Sequence, residues 1–421
     1  MTESKTDAVS LVDRLNALPP PPPPAAASPP QRIVEAHPVG DADLEKINTT
    51  SAMRWLDVTY ADGTAERLVL KDASGARGKA LGLAREGLFY AHWPTLFVAA
   101  AADDDDDADD DHSVVVQQIA NLLPRVVRSA ADMDTGAKTL LMEDMSACVQ
   151  AGYFFGPHNP NNWGIKDLVA AQRGFELTPA QITAMAGSVA AKLHAATWNR
   201  TTLRDPDATP SWLRGAGWLT GRDRASWEAS QQSMADYWAG IQAQRKDGAC
   251  GVGFSDRLAL CLDAAVAKID WDAFQAELAD RPFCLVHGDF HPANFMVRPK
   301  NAVGQHTLAL LDWEMVGVGS GPQDLGQFMV SHFAGDDRAA LERGAVEAYF
   351  AELTSLNPSI KMTLEECWAE YVEGALGRFL WFVPMLVSLC PPTMGQFFVD
   401  IVEHFVETHG VTPETVPMPR V

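Results

Sequence analysis

Alternating apolar and polar residues dominate the first third of the chain. Residues 53–60, MRWLDVTY, and residues 66–73, ERLVLKDA, are two such runs, and the Asp62-Gly63 dipeptide between them favours a tight hairpin loop. The next segment, GKALGLAREGLFYAHW, spaces its apolar residues as a helix does, and PRVVRSAA and KTLLMEDM return to strand-like runs. The pattern predicts two antiparallel strands, a helix and two further strands.

Helical spacing replaces this pattern from about residue 147. In PAQITAMAGSVAAKLHAATW, for example, Ala, Leu and Val recur every three to four residues. One segment differs: two short apolar runs, FMVRP and TLALLDW, flank a polar turn that contains glycine, which is typical of a β-hairpin. We therefore expect a sheet-rich first part and a mainly helical second part with one embedded hairpin.

Composition divides the chain further at its N-terminus. Residues 19–30, PPPPPPAAASPP, cannot form a helix or a sheet ladder because proline lacks the backbone donor and has a fixed φ. We predict a disordered Pro-rich segment over residues 1–32, a sheet-containing lobe over residues 33–146 and a helical lobe over residues 147–421. The run DDDDDADDD is expected to lie in a solvated loop over residues 101–112.

Charge and cysteine content exclude several classes of protein. The net charge is −22 and Lys and Arg form no cluster, so we expect no nucleic acid partner. The six cysteines contain no C-x-x-C pair, which argues against a zinc ribbon and a disulfide framework. The N-terminus lacks the features of a secretory signal, and the apolar run FLWFVPMLVSLC is too short to span a bilayer. A soluble, cytoplasmic protein without a membrane partner is expected, and its oligomeric state stays open.

The segment HGDFHPANF, residues 287–295, precedes the predicted hairpin. If the two apolar runs pair, Asn294 at the entry of the first strand and Asp312 at the exit of the second lie at the same open end. Asp289 lies in the loop that leads to this end. Phosphoryl transfer needs a carboxylate that orients the attacking hydroxyl, and an amide oxygen and a second carboxylate that hold Mg²⁺. Asp289 suits the first role, and Asn294 and Asp312 suit the second.

A nucleotide kinase also needs a cation on the phosphates, held by a carboxylate from a neighbouring helix. Lys71 lies in the strand run LVLKDA, and Glu86 lies in the following helical run AREGLFY. Taken alone, each would be an ordinary surface residue. Their order and spacing ahead of the hairpin favour a functional ion pair.

These segments resemble a known family. HGDFHPANF and LLDWE resemble the H-x-D-x-x-x-x-N and D-x-[DE] motifs of the aminoglycoside phosphotransferase and choline kinase group. TYADGTAERLVLK, REGLFY and LLMEDM are most similar to its ecdysteroid-kinase-like (CHK-like) branch, and the resemblance covers about residues 40–410. It implies a bilobal protein-kinase-like α+β fold, with a small antiparallel-sheet N-lobe and a mainly helical C-lobe. The activity implied is ATP-dependent, Mg²⁺-dependent phosphorylation of a small-molecule hydroxyl.

The resemblance also implies individual roles. Asp289 would be the catalytic base, Asn294 and Asp312 the Mg²⁺ ligands, and Lys71 with Glu86 the phosphate-binding ion pair.

Adenine would meet backbone groups around Glu143 and Met145, and the phosphate-covering loop would lie near INTTSAM. This loop departs from the family pattern because it contains no glycine, and Thr50 and Ser51 would supply its donors instead.

The polar neighbours of the catalytic loop carry further expectations. His287 would shape the loop, and Asp324 in GPQDLGQF would tie loop backbone or cap a helix. His291 would either pack in the loop or contact the substrate.

Two other functions compete with the kinase interpretation. His287, Asp289 and His291 would suit a zinc or iron hydrolase, but such sites need further ligands and no second histidine cluster exists in the sequence. A pseudokinase that binds nucleotide or a partner without transferring phosphate is the second alternative, and the loop without glycine favours it.

The acceptor stays open between amino sugars, choline-like amines, sugars, sterols and lipid alcohols. Glu366, Glu370 and Glu373 recur at one-turn spacing and would suit a cationic acceptor, or would simply form a solvated acidic face. Trp381 and Phe382 would suit an apolar alcohol, or would simply belong to the core.

Overall fold

The computed structural model describes residues 10–21, 31–39, 51–97 and 108–420, with only the backbone for residues 108–113. Its contacts divide the chain into two compact units. The first unit comprises Met1–Cys148 and Ala309–Val316, and the second comprises Val149–Leu308 and Gly317–Val421. The short segment at residues 309–316, which contains LLDWE, therefore belongs to the sheet-containing unit although it follows the hairpin of the helical unit.

A five-stranded antiparallel sheet forms the centre of the first unit. Its strands are β1 (Ile33–Pro38), β2 (Ala52–Tyr60), β3 (Ala65–Ala73), β4 (Val126–Asp132) and β5 (Ala137–Glu143), in the order β1-β2-β3-β5-β4. The predicted hairpin at Asp62-Gly63 is confirmed, and Gly63 adopts the positive φ of 87° that tight hairpin loops favour. Strand β1 was not predicted, because this edge strand buries only Ile33 and shows no alternation.

Four helices accompany this sheet: α1 (Leu11–Ala17), α2 (Gly75–Leu81), α3 (Ala84–Phe97) and α4 (Ala108–Ala120). Helix α1 corrects the prediction that residues 1–32 are disordered. Ser10 caps its first turn, and Leu15 is only 2% exposed because it packs in a core cluster with Ile33 and Leu56. Residues 22–30 of the Pro-rich segment lie outside the described residues. Tertiary burial thus stabilises a helix too short to form alone.

Helix α4 corrects part of the predicted acidic loop. The helix begins at Ala108, so residues 108–112 are helical, whereas residues 101–107 lie outside the described residues.

The second unit is mainly helical. Its helices are α5 (Leu168–Ala171), α6 (Pro179–Ala195), α7 (Ala216–Leu219), α8 (Arg224–Lys246), α9 (Asp256–Ala267), α10 (Trp271–Asp280), α11 (Pro322–His332), α12 (Gly335–Leu356), α13 (Leu364–Leu389) and α14 (Pro392–Thr408). Helix α13 packs against α11, and α6 packs against α12. The start of α6 shows why the sequence folds this way: Thr178 and Gln181 form a reciprocal capping box ahead of Pro179.

Short paired strands flank the loops of this unit. Strand β6 (Val149–Gln150) pairs with β8 (Phe295–Val297), and β7 (Cys284–Val286) pairs with β10 (Gly317–Gly319). The chain turns back after β8, where the Arg298 N–H donates to the Thr307 carbonyl at 2.8 Å, and β9 (Leu308–Leu310) begins there. The predicted β-hairpin is therefore confirmed, as is the α+β fold class.

Helix α13 is long and apolar enough to cross a membrane by length and composition alone. Half of its most apolar window is buried inside the protein, and it carries charged residues such as Arg378. The apolar run at its C-terminal end is therefore part of a longer core helix.

Candidate active site

A cluster of charged side chains is buried in the first unit. Lys71 Nζ on β3 lies 2.8 Å from Glu86 Oε2 on α3 and 3.0 Å from Asp312 Oδ1. Lys138 Nζ on β5 lies 2.6 Å from Glu86 Oε2 and 2.6 Å from Glu314 Oε1. The structure thus brings together three residues that the sequence had singled out, Lys71, Glu86 and Asp312.

Backbone packing places Glu86 over the two lysines. Strands β3 and β5 are paired neighbours, with Ala73 opposite Lys138, so both lysines come from adjacent strands. Helix α3 approaches the sheet closely at Gly87, where a Cβ would lie 2.6 Å from the Ala131 Cβ. The Ser129 hydroxyl also donates to the Gly87 carbonyl at 2.7 Å. A larger residue at position 87 would push Glu86 away from the lysines.

The turn after β9 presents the other two carboxylates. Asp312 adopts a left-handed backbone conformation, with φ 63°, which is uncommon for a residue with a side chain and frequent at functional sites. Trp313 stacks on Phe89 with ring centroids 3.9 Å apart, and Arg85 donates to the Glu314 carbonyl at 2.6 Å. These contacts fasten the turn to α3, so that Asp312 and Glu314 face the lysines.

Burial and ion pairing shift the pKa values of Lys71 and Glu86 in opposite directions. Burial alone would lower the pKa of Lys71, but Asp312, Glu86 and Glu314 hold this pKa above its usual range. Burial would raise the pKa of Glu86, but Lys138 and Lys71 hold it below its usual range. Burial and the nearby charge of Asp312 raise the pKa of Glu314. Lys71 and Glu86 therefore form an ionised pair.

The cluster has the chemistry of a site for a hard cation. Oxygen atoms of Glu86, Asp312 and Glu314 all lie within 4.8 Å of one another, and three carboxylates against two lysines leave one negative charge. Carboxylate oxygens are the ligands that Mg²⁺ prefers. Asp312 has the most accessible side chain of the three, with 28% exposed against 10% for Glu314 and 1% for Glu86.

The other residues predicted to bind nucleotide lie at the margin of the charged cluster or at the end of β5. The Ser51 hydroxyl donates to Glu314 Oε1 at 3.3 Å, at the margin of the charged cluster, whereas Thr50 lies outside the described residues. Glu143 ends β5, and its N–H donates to the Arg125 carbonyl at 2.9 Å. The Met145 carbonyl accepts from the Cys148 N–H at 2.9 Å, which closes a tight turn directly after β5.

The second unit holds Asp289 in a fixed orientation. Gln327 Nε2 donates to Asp289 Oδ1 at 2.8 Å, and Asn294 Nδ2 donates to Asp289 Oδ2 at 3.2 Å. His291 Nε2 lies 3.3 Å from the same Oδ2, and 32% of the Asp289 side chain is exposed. The carboxylate is therefore positioned and remains accessible.

Asp324 binds the backbone of the loop that carries Asp289. Its two carboxylate oxygens accept the N–H groups of His287 at 2.7 Å and Gly288 at 3.1 Å. His287 is fully buried, and its Nδ1 accepts the Asp289 N–H at 3.2 Å. The predicted loop-tying role of Asp324 and loop-shaping role of His287 are confirmed.

Several charges act on the Asp289 carboxylate. Burial would raise the pKa of Asp289, but ion pairing and hydrogen bonding with His291, and then the charge of Arg378, hold it well below its usual range. Arg378 Nη2 lies 3.9 Å from Asp289 Oδ1 and also donates to the Gly288 carbonyl. Asp289 is therefore ionised near neutral pH, as a group that orients a hydroxyl requires.

The histidine cluster does not have the geometry of a metal site. In the described part of the chain, the one set of three ligands with suitable spacing is Glu86, Asp312 and Glu314. His291 pairs with Asp289 and stacks on His332, with ring centroids 5.5 Å apart. These contacts of His291 are with Asp289 and His332, and no observation on the described residues favours a zinc or iron hydrolase.

Three residues at these sites were not singled out from the sequence: Lys138, Gln327 and Arg378. Each left a local signal. Lys138 shares a strand face with Leu140 and Met142, where an apolar residue is expected. Gln327 lies one helical turn after Asp324, and Arg378 interrupts the apolar run of α13.

Comparison with known proteins agrees with this chemistry. A family model described as the phosphotransferase enzyme family (APH) matches residues 166–358, a stretch that contains Asp289, Asn294 and Asp312. This match, which spans less than half of the chain, confirms the resemblance to the phosphotransferase (APH) family. No curated protein matches the chain significantly in sequence.

Several solved structures are similar to the chain at low sequence identity. An amicoumacin kinase in complex with AMP-PNP and Ca²⁺ is 11% identical, with 91% of this chain and 90% of that chain covered and a TM-score of 0.45. A choline kinase from Streptococcus pneumoniae is 12% identical, with 89% and 94% covered and a TM-score of 0.42. An ethanolamine kinase from Plasmodium vivax is 11% identical, with 90% and 83% covered and a TM-score of 0.38.

Proposed function

We propose that the protein is an ATP-dependent kinase that phosphorylates a hydroxyl group of a small molecule. The buried contact of Lys71 with both Glu86 and Asp312 carries this proposal. A lysine held by a helix carboxylate next to a second, accessible carboxylate is the arrangement that binds nucleotide phosphates and their metal ion.

Asp312 and Asn294 are proposed to hold Mg²⁺. Asp312 supplies a partly exposed carboxylate, and Asn294 turns its amide nitrogen to Asp289, which directs its Oδ1 away from that carboxylate. When bound, Mg²⁺ would neutralise charge on the phosphate oxygens. Lys71 would bind the phosphates, with Glu86 keeping its Nζ in place.

Asp289 is proposed to act on the acceptor. Its carboxylate accepts a hydrogen bond from the attacking hydroxyl and takes the proton as the oxygen–phosphorus bond forms, while ADP leaves. Gln327 and Asn294 fix the direction of the carboxylate. Backbone groups at Glu143 and Met145 are proposed to receive adenine, and Ser51 and Thr50 to cover the phosphates.

We further propose that the protein is soluble and cytoplasmic, with a small-molecule substrate and without nucleic acid or membrane partners. The buried face of α13 and the acidic net charge support this. The contacts of Lys71 with Glu86 and Asp312, and the fixed and accessible Asp289, oppose the pseudokinase alternative that the loop without glycine favours.

The test is a screen of ADP formation from ATP and Mg²⁺ over the five acceptor classes, with the wild type and Asp289→Asn. We expect acceptor-dependent ADP formation by the wild type. Asp289→Asn should lose at least about a hundredfold in rate, the usual scale of acid–base catalysis, while an ATP analogue binds both proteins alike. Equal rates in the two proteins would contradict the proposed role of Asp289.

A further inference from the structure

A pocket in the helical unit opens beside Asp289. Its cavity volume is about 210 Å³. One wall is apolar and consists of Phe379, Phe382 and Leu386 from α13 with Phe398 from α14. The pocket therefore offers a largely hydrophobic surface next to the carboxylate that would orient a hydroxyl.

The pocket has no unpaired negative charge for a cation. Among its described lining residues, Asp289 is the single carboxylate, and its charge faces the buried guanidinium of Arg378 at 3.9 Å. Gln327 and Asn294 donate hydrogen bonds to the same carboxylate, and His291 Nε2 lies 3.3 Å from it. A cationic ligand would lose its hydration here without gaining a free counter-charge.

The glutamates of α13 do not supply that charge. Glu366 caps the start of the helix by accepting the Thr363 N–H at 2.7 Å. Glu370 Oε2 lies 3.3 Å from Arg281 Nη1, and Glu373 also pairs with Arg281. All three carboxylates are thus engaged elsewhere, and none of them lines the pocket beside Asp289 in the described part of the chain.

The aromatic wall is also poorly suited to an ammonium group. The Arg378 guanidinium lies over the Phe382 ring, 4.5 Å from its centroid, so this ring already has a cation on one face. A second cation beside it would be repelled by Arg378. An uncharged apolar group meets no such repulsion.

Polar side chains complete the other side of the pocket. Gln327 is 4% exposed, and its Oε1 is buried without a hydrogen-bond partner among the described residues, as is His291 Nδ1. His332 also lines the pocket, and burial, followed by the charges of His291 and His158, lowers its pKa well below the usual value. Gln327 and His332 therefore add no negative charge that would bind a cation.

We propose that this pocket is the acceptor site and that it takes an uncharged alcohol with a bulky apolar body, in preference to amino or quaternary ammonium alcohols. The apolar body contacts the phenylalanine wall, and the hydroxyl lies beside the accessible part of the Asp289 carboxylate. The assignment as an acceptor site rests on the proposed kinase function, whereas the preference for neutral alcohols rests on the pocket itself.

The experiment compares two molecules of equal shape, choline and 3,3-dimethyl-1-butanol, in which a carbon replaces the quaternary nitrogen. Binding to the wild-type protein is measured by calorimetry without nucleotide, so the result does not require turnover. We expect the neutral alcohol to bind at least about tenfold more tightly, which corresponds to about 1.4 kcal/mol. Equal or tighter binding of choline, or no binding of either molecule, overturns the proposal.

A charge introduced into the pocket should reverse this preference. Leu386 lines the pocket and is half-buried, so Leu386→Glu places a carboxylate there without burying it fully. We expect the ratio of the two affinities to move towards choline by about tenfold. Leu389→Glu is the control, since Leu389 is 64% exposed on the same helix and does not line the pocket. An equal change in both variants overturns the proposal.

Transfer assays with the same two alcohols separate this inference from the proposed function. Faster phosphorylation of choline, together with tighter binding of choline, overturns the inference and leaves the kinase function standing. Binding of the neutral alcohol without transfer to any alcohol overturns the kinase function and upholds the binding preference.

Discussion

Lys138 provides a quantitative test of the buried charge cluster. Its side chain is completely buried, and its Nζ lies 2.6 Å from both Glu86 Oε2 and Glu314 Oε1. Lys138→Met keeps a similar side-chain length and removes the charge, so two carboxylates lose a partner at once. Removing one member of a buried ion pair costs about 3–5 kcal/mol, because the remaining charge stays buried without compensation.

Lys71 reduces that cost to some extent. Its Nζ lies 2.8 Å from Glu86 and 3.7 Å from Glu314 in the wild type, and the variant retains this lysine. We therefore expect the free energy of unfolding to fall by about 3 kcal/mol, the lower end of the range. Glu314 has a raised pKa and can also take up a proton in the variant, which further reduces the loss of stability.

Urea unfolding followed by circular dichroism measures this loss. Lys192→Met is the control, because Lys192 is 30% exposed and its Nζ lies 3.7 Å from Glu352, so its removal should cost less than about 1 kcal/mol. The double variant Lys138→Met, Glu314→Gln removes one of the two uncompensated charges and should recover part of the lost stability. A loss below about 1 kcal/mol for Lys138→Met would refute the reasoning, since the lysine would then behave as a surface residue.

Two further predictions concern the proposed Mg²⁺ site and the pocket beside Asp289. Asp312→Asn keeps the shape of the side chain and removes its charge, so Mg²⁺-dependent nucleotide binding should weaken by at least about tenfold in a calorimetric titration, and indifference to the change would contradict a ligand role. His332→Gln should flatten the dependence of stability on pH. The folded-state pKa of His332 lies below its unfolded value, and His291, His158 and Asp289 face its ring. The contribution of neutral His332 to the free energy of unfolding is therefore complete above about pH 6.5. This contribution is lost as the pH falls towards the folded-state pKa. The wild type should lose about 1.4 kcal/mol per pH unit more than the variant in that window, and parallel pH profiles would contradict this.

Much of the local structure could be predicted from the sequence. The hairpin at Asp62-Gly63 and the hairpin after Asn294 follow from alternation and turn residues, which act between neighbours along the chain. The catalytic-loop motif likewise placed Asp289 ahead of a strand. Helix α1 was missed, because its stability depends on burial of Leu15 against residues that lie further along the chain.

The sequence by itself determined most of the elements of this protein and the motifs that lie within them, because periodicity, capping and turn preferences are properties of short segments. Only the tertiary structure decided the partners of the buried charges. Lys138 meets Glu314 across 176 residues, and Arg378 meets Gly288 across 90. Such pairs stabilise or destabilise according to burial and distance, and both quantities exist only after the strands and helices have packed.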